Sequence, residues 1–151
     1  MTYRQKLAFS LIGGVLLASA AISQVSLAAD GPTDLRQTGM KTMLKSVKAL
    51  KKLIDANGDK AEVAAEAQKI VEISAKIPDW FPREAGKGDA AKPEIWAQWD
   101  QFVADSKNLN DQATQLIAAA KTDQDFTHIG AQFQQVGKAC GTCHDSFREK
   151  D

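Results

Sequence analysis

The sequence predicts an all-α fold, an antiparallel four-helix bundle. Apolar residues recur at spacings of three and four in four separate stretches, and no stretch shows the strict alternation of a β-strand. A repeated three–four spacing is typical of helices that cross at about 20°, as they do in four-helix bundles. Two of the three links are short, which makes the helices they join antiparallel neighbours. The length of 151 residues fits one domain.

The first helix is expected to begin near Thr33 or Asp34, directly after Pro32, and to end before Asn57 and Gly58. Its core-facing positions are Met40, Met43, Val47, Leu50 and Ile54. Lysines occupy the outer face, which favours a solvated surface or, as the alternative, a patch that docks an acidic protein. These lysines are Lys45, Lys48, Lys51 and Lys52.

The second helix is expected to begin at Asp59, with Glu62 in the capping-box position, and to end at Pro78. Its core-facing positions are Val63, Ala67, Ile70, Ser74 and Ile77. The link over residues 78–92 is longer and contains aromatic residues and two glycines. We expect it to cross one end of the bundle as a loop.

The third helix is expected to open at Pro93, a favourable first-turn residue, and to run to about Lys121. Its core-facing positions are Trp99, Phe102, Ser106, Leu109, Ala113, Leu116 and Ala120. The fourth helix is expected to be capped by Thr122, with Asp125 three residues later, and to run to about Lys150. Its core-facing positions are Phe126, Ile129, Phe133, Val136, Cys140, Cys143 and Phe147.

The run Cys140-Gly141-Thr142-Cys143-His144 in this last helix contains both cysteines of the chain. Two cysteines three apart with a histidine directly behind them form the attachment motif of a c-type haem. On a helix the two thiols lie on one face about one turn apart, where both can add to the vinyl groups of one porphyrin. His144 follows at once, so its imidazole can serve as the proximal ligand of the iron.

Two cysteines at this spacing have three other interpretations. A zinc site needs about four ligands, and beyond the motif only the distant His128 is a histidine. A thioredoxin-like redox pair should open a helix after a strand, but this pair falls near the end of a helix in a chain without strand patterns. A structural disulfide in an oxidising compartment is the main alternative.

Three glycines fall on one side of the last helix: Gly130, Gly137 and Gly141. Glycine lowers helix stability by about 1 kcal/mol per residue relative to alanine, so three in one helix call for a reason. A flat macrocycle lying close to the backbone is one reason, and close packing of another helix is the other.

The N-terminus has the pattern of a secretory signal peptide over residues 1–28. Arg4 and Lys6 precede an apolar run over residues 7–21, and a small-x-small cleavage site ends at Ala28. We expect cleavage there to leave residues 29–151 as the four-helix-bundle domain; an uncleaved anchor is the alternative. Covalent haem attachment takes place outside the bacterial cytoplasm, so both features predict a periplasmic protein.

The charge pattern argues against a nucleic-acid partner, and the lack of a later long apolar run argues against a membrane span after cleavage of the signal peptide. The full chain has 19 basic and 19 acidic residues, and two of the basic ones lie in the signal peptide. No basic stripe of the kind that binds nucleic acid occurs. No later apolar run is long enough to cross a bilayer.

Three segments together resemble the cytochrome c′ family, the class II c-type cytochromes. They are residues 137–148 around the haem motif, Pro93-Glu94-Ile95-Trp96 at the start of the third helix, and residues 36–41 on the first helix. The haem motif alone occurs in many cytochromes. Its C-terminal position and the other two segments make the resemblance specific, and it extends over nearly all of the mature chain.

The resemblance implies roles for six residues. Cys140 and Cys143 would hold one haem c through thioethers, with His144 as the proximal ligand of the iron. Arg148, one turn after His144, matches the family arginine beside the proximal imidazole. The two remaining residues lie on the first helix: Arg36 matches an arginine near the haem edge, and Met40 occupies the position facing the distal side of the iron.

The resemblance implies two functions, and they differ in whether a side chain occupies the sixth coordination position of the iron. With Met40 as sixth ligand, the protein would be a low-spin carrier of single electrons between periplasmic redox partners; this is the first expectation. Met43 is the fallback ligand. With the sixth position vacant, it would be a high-spin protein that binds nitric oxide or carbon monoxide. A peroxidase is disfavoured because no distal histidine pattern occurs in the first helix.

The resemblance also implies a homodimer through the first two helices. The lysine-rich outer face of the first helix opposes this expectation, because like charges on the two copies repel one another.

Overall fold

The computed structural model describes residues 31–83, 90–122 and 125–150. The predicted signal peptide, residues 1–28, lies outside the described residues. Four long helices are α1 (Pro32–Asp55), α2 (Lys60–Ser74), α4 (Trp99–Lys121) and α5 (Phe126–Phe147), and α3 (Glu94–Ala97) is a single turn. A 3₁₀ turn, Pro78–Trp80, lies between α2 and α3. The predicted all-α bundle is confirmed, with α3 as an addition.

The third predicted helix is broken at Gln98, and this part of the prediction is wrong. Gln98 leaves helical geometry (φ −123°, ψ 47°), and its N–H bonds back to the Glu94 carbonyl at 2.8 Å. Tertiary contacts hold the single turn before the break. Ile95 is fully buried, and the Trp96 indole N–H donates to the Phe81 carbonyl at 3.1 Å.

The expected cap of the last helix is also wrong in one residue. Thr122 ends α4, where its hydroxyl donates to the Ala118 carbonyl at 2.9 Å. Asp125 is the N-cap of α5, and its carboxylate accepts from the His128 N–H at 2.9 Å. An aspartate carboxylate accepts strongly from the unpaired N–H groups at a helix start, so the cap falls there.

The last helix ends at Phe147 rather than near Lys150, because residues 90–92 pair with the chain just beyond it. The Lys92 N–H donates to the Phe147 carbonyl at 3.0 Å, and the Glu149 N–H donates to the Ala90 carbonyl at 2.8 Å. An isolated antiparallel bridge joins Ala91 and Arg148. This pairing draws the chain into an extended course and fixes the C-terminal end of α5.

The four long helices pack in the order α1, α2, α4, α5, and α1 touches α5 only sparsely. Every core-facing position predicted for α2 is buried, and so are those of α4 apart from Trp99. The predicted core positions of α1 and α5 behave differently, because about half of them stay only half-buried. These half-buried residues are Met40, Val47, Ile54, Phe126, Phe133, Cys140 and Cys143. The apolar faces of α1 and α5 are therefore incompletely covered.

A buried polar cluster joins the end of α2 to α4. The Ser106 hydroxyl donates to the Ser74 carbonyl at 3.0 Å. The Asn110 amide donates to the Val71 carbonyl at 2.8 Å and to the Ser74 hydroxyl at 3.0 Å. Each of these carbonyls also accepts from a backbone N–H beyond the helix, at 3.2 Å, so the side chains from α4 add a second donor at the end of α2.

Among the described residues, no helix is long and apolar enough to span a membrane.

We expect Asn110→Ala to lower the free energy of unfolding by about 1–3 kcal/mol, because it removes two part-buried hydrogen bonds, one to the Val71 carbonyl and one to the Ser74 hydroxyl. Asn108→Ala on the same helix is the matched control, since Asn108 is exposed and accepts only from Gln112 at 3.3 Å. Chemical denaturation of both variants measures the difference. Equal losses in the two variants would contradict the role given to the buried cluster.

Candidate functional site

The site is an opening between α1 and α5 that widens toward the C-terminal end of α5. Near the start of α5 the two helices meet, since a Cβ built on Gly130 would lie 3.6 Å from Ile54 Cγ2. A Cβ built on Gly137 or Gly141 would meet no atom within 4 Å. Because α1 and α5 are antiparallel, the wide end of the opening is the end where α1 begins.

The predicted haem motif lies at the wide end of this opening. Cys140 and Cys143 are half-buried free thiols, and His144 is accessible. One helical turn separates Cys140 from His144, which falls on the side of Gly137 and Gly141. Around α5, His144 lies on the open side of Gly137 and Gly141, Cys143 lies on the core side, and Cys140 lies between them. This donor set fits a haem c, whose macrocycle needs both thiols and a flat surface.

Burial keeps the two thiols neutral. It raises the pKa of Cys140, and it is the main reason why the pKa of Cys143 is raised to about 12, with the Asp105 carboxylate as the next cause. The thiolate is the form that binds zinc and forms disulfides. Among the described residues, no group of three or more histidine, cysteine, aspartate and glutamate side chains could hold a metal ion, which disfavours the zinc interpretation.

His144 is held in the state that binds a metal. Partial burial lowers its pKa, and the positive charge of Arg148 lowers it further, while Asp145 opposes the shift. The neutral imidazole is the form that coordinates iron. Arg148 lies one turn after His144 along α5, close enough for its charge to act on the ring.

The backbone behind the motif is fixed from two directions. The Lys92 ammonium donates to the Asp145 carbonyl at 2.9 Å. The buried Phe147 ring packs edge-on against Phe102, with ring centroids 5.4 Å apart. The last turn of α5, which contains His144, is therefore anchored to α4 and to the segment before α3.

The two methionines of α1 have different environments. Met43 is buried in the core at 7% exposure, whereas Met40 is half-buried. Met40 lies toward the N-terminal end of α1, which is the wide end of the opening. Met40 is therefore the more accessible of the two residues.

Arg36 is buried and held in place by two contacts. Its Nη2 donates to Thr33 Oγ1 at 3.1 Å, and the guanidinium lies 4.6 Å over the centroid of the Phe81 ring. Phe81 in turn contacts Phe102 of α4, with ring centroids 4.8 Å apart. The crossing loop thereby ties the start of α1 to the start of α4.

Sequence reasoning missed two features at this end. A Cβ on Gly39 would overlap the Trp80 ring, so the outer edge of the loop tryptophan lies directly against α1, next to Met40 in sequence. Asp105 of α4 is buried, at 8% exposure. The apolar spacing did not predict this burial, because Asp105 is not one of the core-facing positions. Only the aromatic pair Trp80 and Phe81 in the predicted crossing loop signalled the first contact.

Comparison with known proteins gives a consistent result. Residues 32–148 match the family model described as Cytochrome C'. The chain is 32% identical over 124 residues to cytochrome c-556 of Agrobacterium fabrum, covering 81% of this chain and 84% of that protein.

Solved structures agree in fold. A nitric oxide complex of a variant of cytochrome c prime from Alcaligenes xylosoxidans superposes with a TM-score of 0.71 at 27% identity, covering 82% of this chain and 99% of that one. A cytochrome c' with a ligand-controlled dimer dissociation superposes with a TM-score of 0.72 at 23% identity, covering 82% and 100%. With a matching family model over almost all of its described length, the chain belongs to the cytochrome c′ family, whose members carry covalently bound haem c.

Proposed function

We propose that this protein binds a diatomic gas, nitric oxide or carbon monoxide, at the iron of its haem c. The observation that carries the proposal is the open space between α1 and α5, faced by the haem motif, in a fold shared with a nitric oxide complex from Alcaligenes xylosoxidans. The family is typically five-coordinate, which leaves the sixth position free for a gas. Electron transfer was the first expectation from the sequence alone. The comparisons favour gas binding over it.

Three residues of α5 would hold the haem. Cys140 and Cys143 would form the thioethers, and His144 would supply its neutral imidazole as the proximal ligand. Bound haem supplies one-electron chemistry and, at an open iron position, gas binding. Arg148 would keep His144 neutral through its charge, and Arg36 would stand at the edge of the macrocycle, fixed by its contact with Phe81.

Electron transfer with Met40 as the sixth ligand is the second candidate. It is favoured by the half-buried position of Met40 toward the wide end of the opening, whereas Met43 is buried in the core. Thioether ligation beside a histidine raises the potential of haem iron, which suits a carrier of single electrons. Under either candidate we propose a binding or carrier role rather than an enzymatic one.

The proposal includes a periplasmic location and a homodimeric assembly. We propose that residues 1–28 direct the chain to the periplasm and are removed there. The exposed lysines Lys45, Lys48 and Lys52 on α1 suit an acidic redox partner. A homodimer through α1 and α2 is the expected assembly, and sedimentation at micromolar concentration tests it.

Gly137→Leu is expected to reduce the fraction of protein that carries haem while leaving the helical fold intact. The open space beside Gly137 accepts a leucine, and loss of the glycine favours the helix by about 0.8–1 kcal/mol. A macrocycle in the opening would meet the new side chain. Denaturing mass spectrometry measures covalent haem, and circular dichroism measures helix content.

Gln135→Leu is the matched control for this substitution. Gln135 is exposed and lies almost opposite Gly137 around the helix. Equal haem fractions in the two leucine variants would contradict the placement of the macrocycle against this face of α5.

The two candidate functions separate in the visible spectrum of the reduced protein before and after addition of carbon monoxide. If the protein binds gas at a vacant position, we expect a broad merged band that shifts strongly with the gas. Met40→Leu, which nearly conserves volume, should then leave the spectrum unchanged. Met43→Leu is the matched control on the same helix.

The opposite pattern would favour electron transfer. Sharp separate bands that carbon monoxide hardly alters would contradict gas binding by the native protein. If Met40→Leu alone then converted the protein to a high-spin, gas-binding form, Met40 would be established as the sixth ligand.

A further inference from the structure

Asp105 is a buried carboxylate that the packing of the bundle does not explain. It is 8% exposed, one turn after the buried Phe102 and one turn before the buried Leu109. Among the described residues it accepts one hydrogen bond, from the Gln101 amide at 2.7 Å, and forms no ion pair. Burying a charged group with so little compensation costs stability, and an apolar side chain would serve the core better.

The helix register places Asp105 level with the haem motif. Phe102 of α4 packs on Phe147 of α5. Further along, the Gln132 amide donates to the Gln112 carbonyl at 3.1 Å, so the two helices stay in contact in antiparallel register. Asp105 is one turn after Phe102, and Cys143 is one turn before Phe147. The carboxylate and the second haem cysteine therefore face each other across α4 and α5.

We propose that Asp105 sets the reduction potential of the haem by placing a fixed negative charge beside the macrocycle. The inference rests on the proposed attachment at Cys143. A nearby anion stabilises the more positive, oxidised iron over the reduced iron, and burial leaves this charge poorly screened by water and salt. In this proposal Asp105 acts on the iron only through its charge, at a distance, and not as a ligand.

Other charges at this end are fewer or better solvated. Among the described residues, Asp105 is the one buried acid. Arg148 is exposed, so solvent screens its charge. Arg36 is buried, but on α1, where its charge lies over the Phe81 ring. Asp145, in the last turn of α5, is exposed, so solvent screens its charge as well. Asp105 is thus the acid beside the motif whose charge is least screened.

The test is a redox titration of the holoprotein and three variants. Asp105→Asn removes the charge with little change in shape, and we expect the ratio of reduced to oxidised protein at a fixed ambient potential to rise about tenfold, equivalent to about 59 mV for one electron. Asp105→Glu keeps the charge and should stay near the native value. Asp111→Asn is the matched control, since its side chain is 48% exposed and pairs with Lys107.

Each outcome decides the role of Asp105. An unchanged or lower potential in Asp105→Asn overturns it, and so do equal shifts in Asp105→Asn and Asp105→Glu, which would indicate packing rather than charge. Loss of holoprotein in Asp105→Asn with normal Asp105→Glu would assign the carboxylate to attachment instead.

Covalent haem is measured by denaturing mass spectrometry on the same samples. Native protein without haem on Cys143 would overturn the proposed attachment and this inference together. Attached haem with an unmoved potential would overturn the role of Asp105 alone.

Discussion

The structure depends on the incomplete contact between α1 and α5. A four-helix bundle ordinarily covers the apolar face of its first helix with its fourth, but here the two meet near Gly130 and Ile54 and then separate. Half-buried apolar residues, among them Val47 and Phe133, face the uncovered region. Apolar surface left in water costs about 25 cal/mol per Å², so this side of the bundle favours a large apolar group that fills the opening.

The opening is kept in place by well-packed contacts between α2 and α4 and by contacts of the crossing loop. α2 and α4 share a fully buried apolar interface, and Asn110 and Ser106 supply donors to the end of α2. At the wide end, the contacts from Arg36 through Phe81 to Phe102 connect α1, the crossing loop and α4. α1 is therefore held in place mainly by α2 and the loop, and it meets α5 only sparsely, near Gly130.

The sequence predicted the parts of the fold that depend on local pattern. Apolar spacing identified the four long helices, and two of the three glycines on one side of the last helix, Gly137 and Gly141, have open space beside them. The break at Gln98 depends on a hydrogen bond from Trp96 to Phe81, fifteen residues away, which no local pattern contains. The burial of Asp105 likewise depends on the register between α4 and α5, which becomes known only when the helices are packed.

Two separate elements would then control the iron from different sides. The first helix carries the half-buried Met40, which under our second candidate function would occupy the sixth position. The third long helix, α4, carries the buried Asp105, which in our proposal would set how readily the iron accepts an electron. These controls act together under either proposed function. Carbon monoxide binds reduced iron, so a lower potential restricts gas binding to more strongly reducing conditions, and the same lower potential in an electron carrier shifts which donors can reduce it.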